Sequence, residues 1–240
     1  MKKVFIDGSA GTTGLRIFDR LHRRTDIQLL TLPESERKLE ASRKKMLNEA
    51  DVVFLCLPDD AACEAALWVE NPDTVVLDPS TAHRTAPGWC YGFPELSPVQ
   101  EARLRQAKRI AVPGCHASGF IALVYPLVSA GLLTPDALLS CYSLTGYSGG
   151  GKKMIAEYRA PERSFLLNAP RQYALGQTHK HLKEMKAVTG LASEPVFCPV
   201  VADFYSGMQV TVPLFAGWLK PGAGMEDVKN AYRTLYTGPV

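Results

Sequence analysis

Apolar residues in the first half of this chain fall into short runs separated by amphipathic stretches. Val4-Phe5-Ile6 is a compact apolar strand, and Ile27 to Leu32, Val52 to Leu57, Val75 to Asp78 and Arg109 to Val112 repeat it. Val52 to Leu57 is apolar at every position, the pattern of a parallel strand covered on both faces. Between these runs Leu15, Phe18 and Leu21 recur at helical spacing. Residues 37 to 49 read as a second helix, and Ala61, Ala65 and Trp68 mark a third with Asp60 as its cap. Strands alternating with helices at this pace predict a doubly wound α/β sheet, whose ligands gather at the carboxyl ends of the strands.

The pattern changes after Cys115. An apolar stretch from Ala117 to Gly131 reads as one helix, closed by Gly131 and Pro135. Beyond it Leu138 to Leu144, Pro195 to Ala202 and Met208 to Phe215 read as longer strands, with Tyr205-Ser206-Gly207 as a hairpin-like link between the last two. A mixed or antiparallel sheet with helices fits this half. The expected division is therefore residues 1–115 and 116–240.

With 240 residues, 46% hydrophobic and 21% charged, the chain has material for a real core in one large domain or two ordinary ones. A net charge of +3, with no basic run longer than Arg43-Lys44-Lys45, gives no footprint for nucleic acid. The longest apolar run is broken by Ser, Gly and Pro, and no signal peptide precedes the first strand, so neither a membrane span nor export is expected. Six cysteines without a C-x-x-C pair read as reduced thiols of a cytoplasmic protein.

Three stretches carry candidate chemistry. Gly8-Ser9-Ala10-Gly11-Thr12-Thr13-Gly14 sits between a strand and a helix, where glycines let the backbone approach a dinucleotide pyrophosphate and the free helix amides receive it. The same spacing also suits a plain tight turn. After the second strand Ser35, Arg37 and Lys38 are suited to a 2′-phosphate, which favours NADP, while Glu34 keeps NAD open and a solvated helix start is the structural alternative.

Cys115 follows a strand and the Pro113-Gly114 turn, at the point where a helix must begin. Helix N-terminal amides stabilise a thiolate and lower its pKa, so this position makes a nucleophile. Its alternative is one more small buried residue. The third stretch, His179-Lys180-His181 with Glu184 one turn on, supplies a general acid and base if a helix starts between the two histidines, with Glu184 orienting His181. A metal site lacks a third ligand at suitable spacing, and an idle surface pair is the other alternative. Arg84, in Ser80-Thr81-Ala82-His83-Arg84, is either an anion contact or a structural arginine, whereas His22 and His83 read as structural or solvated.

These stretches, together with Tyr91-Gly92-Phe93-Pro94-Glu95-Leu96 and Ser148-Gly149-Gly150-Gly151-Lys152, resemble the shorter, type 2 form of N-acetyl-gamma-glutamyl-phosphate reductase, within the aspartate-semialdehyde dehydrogenase group. The resemblance covers nearly all 240 residues. It implies a Rossmann-type NADP-binding domain, followed by an α+β substrate and dimerisation domain like the C-terminal domain of glyceraldehyde-3-phosphate dehydrogenase. By the same resemblance Cys115 is the nucleophile and His181 the acid/base. Gly8 to Gly14, Ser35, Arg37, Lys38, Leu57, Pro58 and Ser80 would hold NADP, and Arg84, Ser148, Gly149, His179 and Glu184 would hold the acyl phosphate. It implies a homo-oligomer, dimer or tetramer.

A carrier-protein-linked aminoadipyl or glutamyl phosphate reductase would use the same machinery. Members of the family continue past the position of Val240 with an Asp-Asn-Leu-x-Lys-Gly helix returning to the first domain. No such run occurs in this chain, and Tyr232 to Val240 shows no closing strand or helix cap. The expectation is a C-terminally incomplete chain with some apolar surface uncovered, and a non-catalytic NADP-binding protein is the reading from a different class.

Overall fold

A computed structural model describes residues 1–238 and divides the chain into two units, Met1–Pro94 with Val99–Pro113 and Glu95–Pro98 with Gly114–Val240. Cys115 thus belongs with the second unit, not with the first as the sequence division had it. Pro239 and Val240, the end of the expected incomplete terminus, lie outside the described residues.

The first unit runs β1 (Lys2–Asp7), α1 (Thr12–Leu21), β2 (Ile27–Leu30), α2 (Glu40–Glu49), β3 (Val52–Leu55), α3 (Asp59–Leu67), β4 (Val75–Asp78), β5 (Cys90–Tyr91), α4 (Pro98–Gln106) and β6 (Arg109–Ala111). All six strands are parallel, in the order β2-β1-β3-β4-β6-β5. The order reverses between β1 and β3, which puts the ligand crevice of such a sheet beyond their carboxyl ends. Val53, Leu55, Val76, Leu47, Ala62 and Ala65 are fully buried and form the core.

Several boundaries differ from the sequence reading. Residues 34–38 form turns and not the start of α2, because Glu36 N–H bonds back to Pro33 and the Glu36 carboxylate accepts the Ser42 hydroxyl at 2.8 Å. Asp60 does not cap α3, whose N-cap is Pro58, and Asp59 is occupied by the amide and hydroxyl of Thr81. Leu15 is 45% exposed, so the packing face of α1 falls on Ile17, Phe18 and Leu21.

The second unit contains α5 (Cys115–Ser129), β7 (Ser140–Gly146), α6 (Gly151–Arg159), β8 (Arg171–Gln172), α7 (His181–Thr189), β9 (Val196–Ala202), β10 (Met208–Thr211) and α8 (Met225–Leu235). Its sheet order is β10-β7-β9-β8, with β7 parallel to β9 and the other pairs antiparallel. The expected hairpin between the last two long strands is therefore absent. β9 and β10 straddle β7, and the link at 204–207 crosses its end, where Gly146, Tyr147 and Ser148 donate to Gly207, Phe204 and Tyr205. A Cβ on Gly146 would lie 2.6 Å from the Phe204 carbonyl, so only glycine admits this crossing.

Helix α5 packs on β10 through Gly119, whose missing Cβ would stand 2.4 Å from Val210 Cγ2. Its C-terminus turns at Gly131, with φ +66°, and Leu132 N–H reaches back to Leu127 O at 2.8 Å. Pro126 lies inside α5 and cannot donate to the carbonyl of Ala122. That carbonyl accepts the Tyr236 hydroxyl at 2.8 Å, and the neighbouring Leu123 carbonyl accepts Tyr232 at 2.7 Å. The stretch from Tyr232, where no closing element was expected, thus begins as the last turn of helix α8, and Tyr236 just beyond that helix fills the proline gap. The start of α8 is fixed by Gly224 N–H donating to Asp227 at 2.8 Å.

Candidate active site

Gly114 is the N-cap of α5, in extended conformation, and Cys115 is the first helical residue, its side chain exposed. The Gly114 amide is engaged by the buried carboxylate of Glu184 at 2.8 Å, which fastens α7 to the start of α5. Cys115 opens onto a cleft of about 270 Å³ lined by His116, Thr145, Gly149, Tyr173, His179 and His181 among others. Helix α7 begins at His181, so the helix start falls between the two histidines and both imidazoles face one space. Their ring centroids are 4.7 Å apart. His179 Nδ1 accepts the His181 N–H at 3.2 Å, which leaves Nε2 to carry the ring proton of a neutral His179.

The sequence reading missed a third imidazole. His116 is 4% exposed, lies 5.5 Å from His181 and 5.7 Å from His179 between ring centroids, and bonds Ser143 Oγ at 2.6 Å and the Tyr173 hydroxyl at 2.9 Å. Burial, with a smaller effect from His179, lowers its pKa to about 4, so the ring is neutral at pH 7. Burial and then the Cys115 charge push Tyr173 up to about 12, keeping it a phenol and placing it within electrostatic reach of the sulfur. Adjacency to Cys115 was the one signal for His116 in the sequence, and Tyr173 gave none.

The other predicted substrate contacts have these surroundings within their own units. Glu184 is 2% exposed and its carboxylate accepts the Gly114 amide. Arg84 donates to the carbonyls of Val112 at 3.0 Å and Pro79 at 2.9 Å, tying the ends of β4 and β6 together. The Ser148 amide is used by Tyr205 O, and Ser148 is not among the cleft residues, whereas Gly149 is. His83 is buried, bonded to Asp78 at 2.5 Å and stacked on Trp89 at 3.8 Å.

In the first unit the glycine loop builds a cradle at the sheet's switch point. Gly8 has φ +82°, and a Cβ there would meet the Cys56 carbonyl at 2.2 Å. A Cβ on Gly14 would meet Gly8 O at 2.4 Å. The loops after β1 and β3 are thus in backbone contact, with Cys56 N–H bonded to Asp7 O at 2.8 Å, and Leu57 and Pro58 continue the second loop. Gly11 caps α1, whose first turn at Thr12, Thr13 and Gly14 offers its amides. Ser35, Arg37 and Lys38 are on the turns after β2, the strand paired with β1. This is a cradle that fits a dinucleotide. The Ser80 hydroxyl donates to Asp78 at 2.8 Å and accepts the Ala82 amide, so it builds the turn after β4.

Residues 3–104 match the family described as "Semialdehyde dehydrogenase, NAD binding domain", and residues 115–239 match "Semialdehyde dehydrogenase, dimerisation domain". N-acetyl-gamma-glutamyl-phosphate reductase of Trichormus variabilis is 44% identical over 98% of the chain and 74% of its own length. That of a Chelativorans species is 46% identical over 98% and 76%. The chain belongs to the N-acetyl-gamma-glutamyl-phosphate reductases. Solved structures agree in fold: aspartate semialdehyde dehydrogenase II of Vibrio cholerae superposes with a TM-score of 0.70 at 15% identity, covering 98% of this chain and 80% of that one. Aspartate semialdehyde dehydrogenase of Candida albicans, solved with NADP, gives 0.66 at 19%, covering 96% and 76%. The Rossmann-type first unit and the α+β second unit of this reductase are the fold that the sequence resemblance implied. Among the described residues no helix is long and apolar enough to cross a membrane.

Proposed function

We propose that this chain reduces N-acetyl-gamma-glutamyl phosphate to N-acetylglutamate 5-semialdehyde with NADPH, releasing phosphate, as a cytoplasmic enzyme of arginine biosynthesis. The observation that carries the reading is the cleft in which an exposed thiol at a helix N-terminus shares one space with His179 and His181. The curated relatives' names supply the substrate.

In this reading His181 takes the Cys115 proton and the sulfur attacks the acyl carbon. A C–S bond forms, the bond from carbon to the phosphate oxygen breaks, and phosphate leaves with that electron pair. Bound at the glycine cradle, NADPH supplies the hydride that brings the Cys115 thioester to the aldehyde level. The hemithioacetal oxyanion then re-forms its C=O bond, the C–S bond breaks, and sulfur leaves with the pair and recovers its proton from His181. His179 Nε2–H serves as a donor to the anionic substrate, with Gly149 and Gly150 forming the floor of the cleft beside it.

The second copy of a homodimer occupies the outer face of the four-stranded sheet, where Tyr142 and Val196 are more than half exposed in a domain of the dimerisation type. Tyr142→Asp is expected to yield monomer in size-exclusion chromatography, and an unchanged elution volume removes that face from the interface. The activity is tested with N-acetylglutamate semialdehyde: phosphate-dependent NADP reduction is expected and is abolished in Cys115→Ser. A folded, NADP-binding sample without turnover overturns the reading in favour of a non-catalytic binder.

A further inference from the structure

The groups facing His116 come from four elements: Cys115 from its own helix, Ser143 from β7, Tyr173 after β8, and His179 with His181 at the start of α7, while Phe197 of β9 covers the ring. Of these, Cys115, Tyr173, His179 and His181 titrate. A neutral imidazole between Ser143 and Tyr173 has two tautomers. With the proton on Nδ1, the ring donates to Ser143 and accepts the Tyr173 proton, turning the phenol away from the cleft. With the proton on Nε2, Ser143 donates to Nδ1, Nε2–H donates to the Tyr173 oxygen, and the phenolic proton remains for a group in the cleft.

Ser143 decides between them. Its residue is 0% exposed, and among the described residues its hydroxyl bonds only to His116. In the first tautomer the Ser143 O–H would be a buried donor without an acceptor, a penalty the second tautomer avoids. The second is the arrangement in which every buried proton of the chain has a destination.

We propose that the buried chain Ser143–His116–Tyr173 aims the Tyr173 hydroxyl proton into the cleft, as a fixed neutral donor to the acyl oxygen of substrate held at Cys115. His116 is then a positioning residue and Tyr173 the group that touches substrate. The proposal deepens the reductase reading and rests on it for the identity of the oxygen. When sulfur attacks, that oxygen takes up the electron pair of the carbonyl, and a donor held in place strengthens its bond as charge develops. Tyr173 transfers no proton: the oxygen re-forms the carbonyl as phosphate leaves, and again as the semialdehyde leaves. The high pKa of Tyr173 suits a donor that stays protonated throughout. The low pKa of His116 suits a ring that never competes with His181 for a proton.

The tautomer is read first, on the whole chain without ligand, by long-range ¹H–¹⁵N correlation of the histidine rings at pH 7. His116 is expected as the Nε2–H form, and an Nδ1–H form overturns the proposal whatever the enzyme's activity. Kinetics follow. Tyr173→Phe is expected to lower kcat about 100-fold with KM within about threefold, the size of loss seen when one oxyanion donor is removed. His116→Leu should fall as far, His116→Gln, which keeps a donor toward Tyr173, should recover most of kcat, and His116→Leu/Tyr173→Phe should be no worse than either single change. Multiplicative losses, or wild-type kcat in His116→Leu, overturn it. A wild-type protein that does not turn over the acyl phosphate overturns the reductase reading instead, and the ring spectra still decide the tautomer.

Discussion

The sharpest structural test lies in the middle of α5. Pro126 removes the amide that would bond Ala122 O, and the Tyr236 hydroxyl stands in for it at 2.8 Å from beyond the end of α8. Burial pushes the Tyr236 phenol up to about 12, so it remains a donor across the ordinary pH range. Tyr236→Phe therefore deletes one hydrogen bond and leaves a half-buried carbonyl without its partner. A net bond is worth about 0.5–1.5 kcal/mol and an orphaned buried acceptor about 1–3 kcal/mol, and partial exposure of Ala122 brings the expected loss to roughly 1.5 kcal/mol.

In a Pro126→Ala background the amide restored at that position can donate to Ala122 O itself, and the same Tyr236→Phe change should cost only about 0.5 kcal/mol. The four proteins form a double-mutant cycle with an expected coupling of about 1 kcal/mol, measured by urea unfolding followed through far-UV circular dichroism. Equal costs of Tyr236→Phe in both backgrounds, within about 0.3 kcal/mol, would refute the claim that the tyrosine replaces the missing amide.

Gly14→Ala forces a Cβ to 2.4 Å from Gly8 O, where both atoms are fixed by backbone, and overpacking of this kind costs about 1–3 kcal/mol. Apo Gly14→Ala should thus unfold several degrees lower and bind NADPH weakly, whereas Gly11→Ala, whose nearest atom is 3.2 Å away, should keep the apo Tm; equal apo Tm values for both sink the cradle argument. Arg37→Ala should weaken NADPH far more than NADH in fluorescence titration, and equal losses would refute the 2′-phosphate assignment to the turns after β2. His116 has a folded pKa of about 4 against about 6.5 unfolded, so its stabilisation is complete above pH 6.5 and is lost as pH falls through 4. The amount is roughly 3 kcal/mol, and His116→Gln should flatten the acid limb of the pH–stability curve, an unchanged limb assigning the loss to other groups.

What the sequence disclosed was what is local along the chain. The strand, glycine loop and helix at residues 2–21 and the turn into α5 at Cys115 are each contiguous, and their chemistry follows from the conformation of a few adjacent residues. Pairing is not local. The apolar patterning marks residues 195–202 and 208–215 as strands, of which the structure forms Val196–Ala202 and Met208–Thr211, but nothing in that pattern says that both prefer β7 to each other. The contact from Glu184 to the Gly114 amide is illegible for the same reason, because the two residues are 70 positions apart in the chain. Arg84 likewise finds Val112 O only because β4 and β6 are neighbours.

The histidine cleft depends on a loop that local forces alone do not favour. Ala174 and Gln177 have φ of +54° and +52°, a region that costs a residue with a Cβ about 1–2 kcal/mol. The Gln177 side-chain amide offsets part of this by bonding both the Phe197 carbonyl and the Phe197 N–H at 2.8 Å, at about 0.5–1.5 kcal/mol for each bond. These terms roughly cancel, so the loop takes its shape from its two ends. At one end Tyr173 is held by His116, and at the other the His179 ring caps the first amide of α7. The loop that carries His179 to Cys115 is thus set by the same imidazole that sets the Tyr173 proton. A change at His116 therefore reaches the histidine pair through loop geometry as well as through the phenol, which is why the Gln variant, and not a deletion alone, separates donor placement from collapse of the cleft.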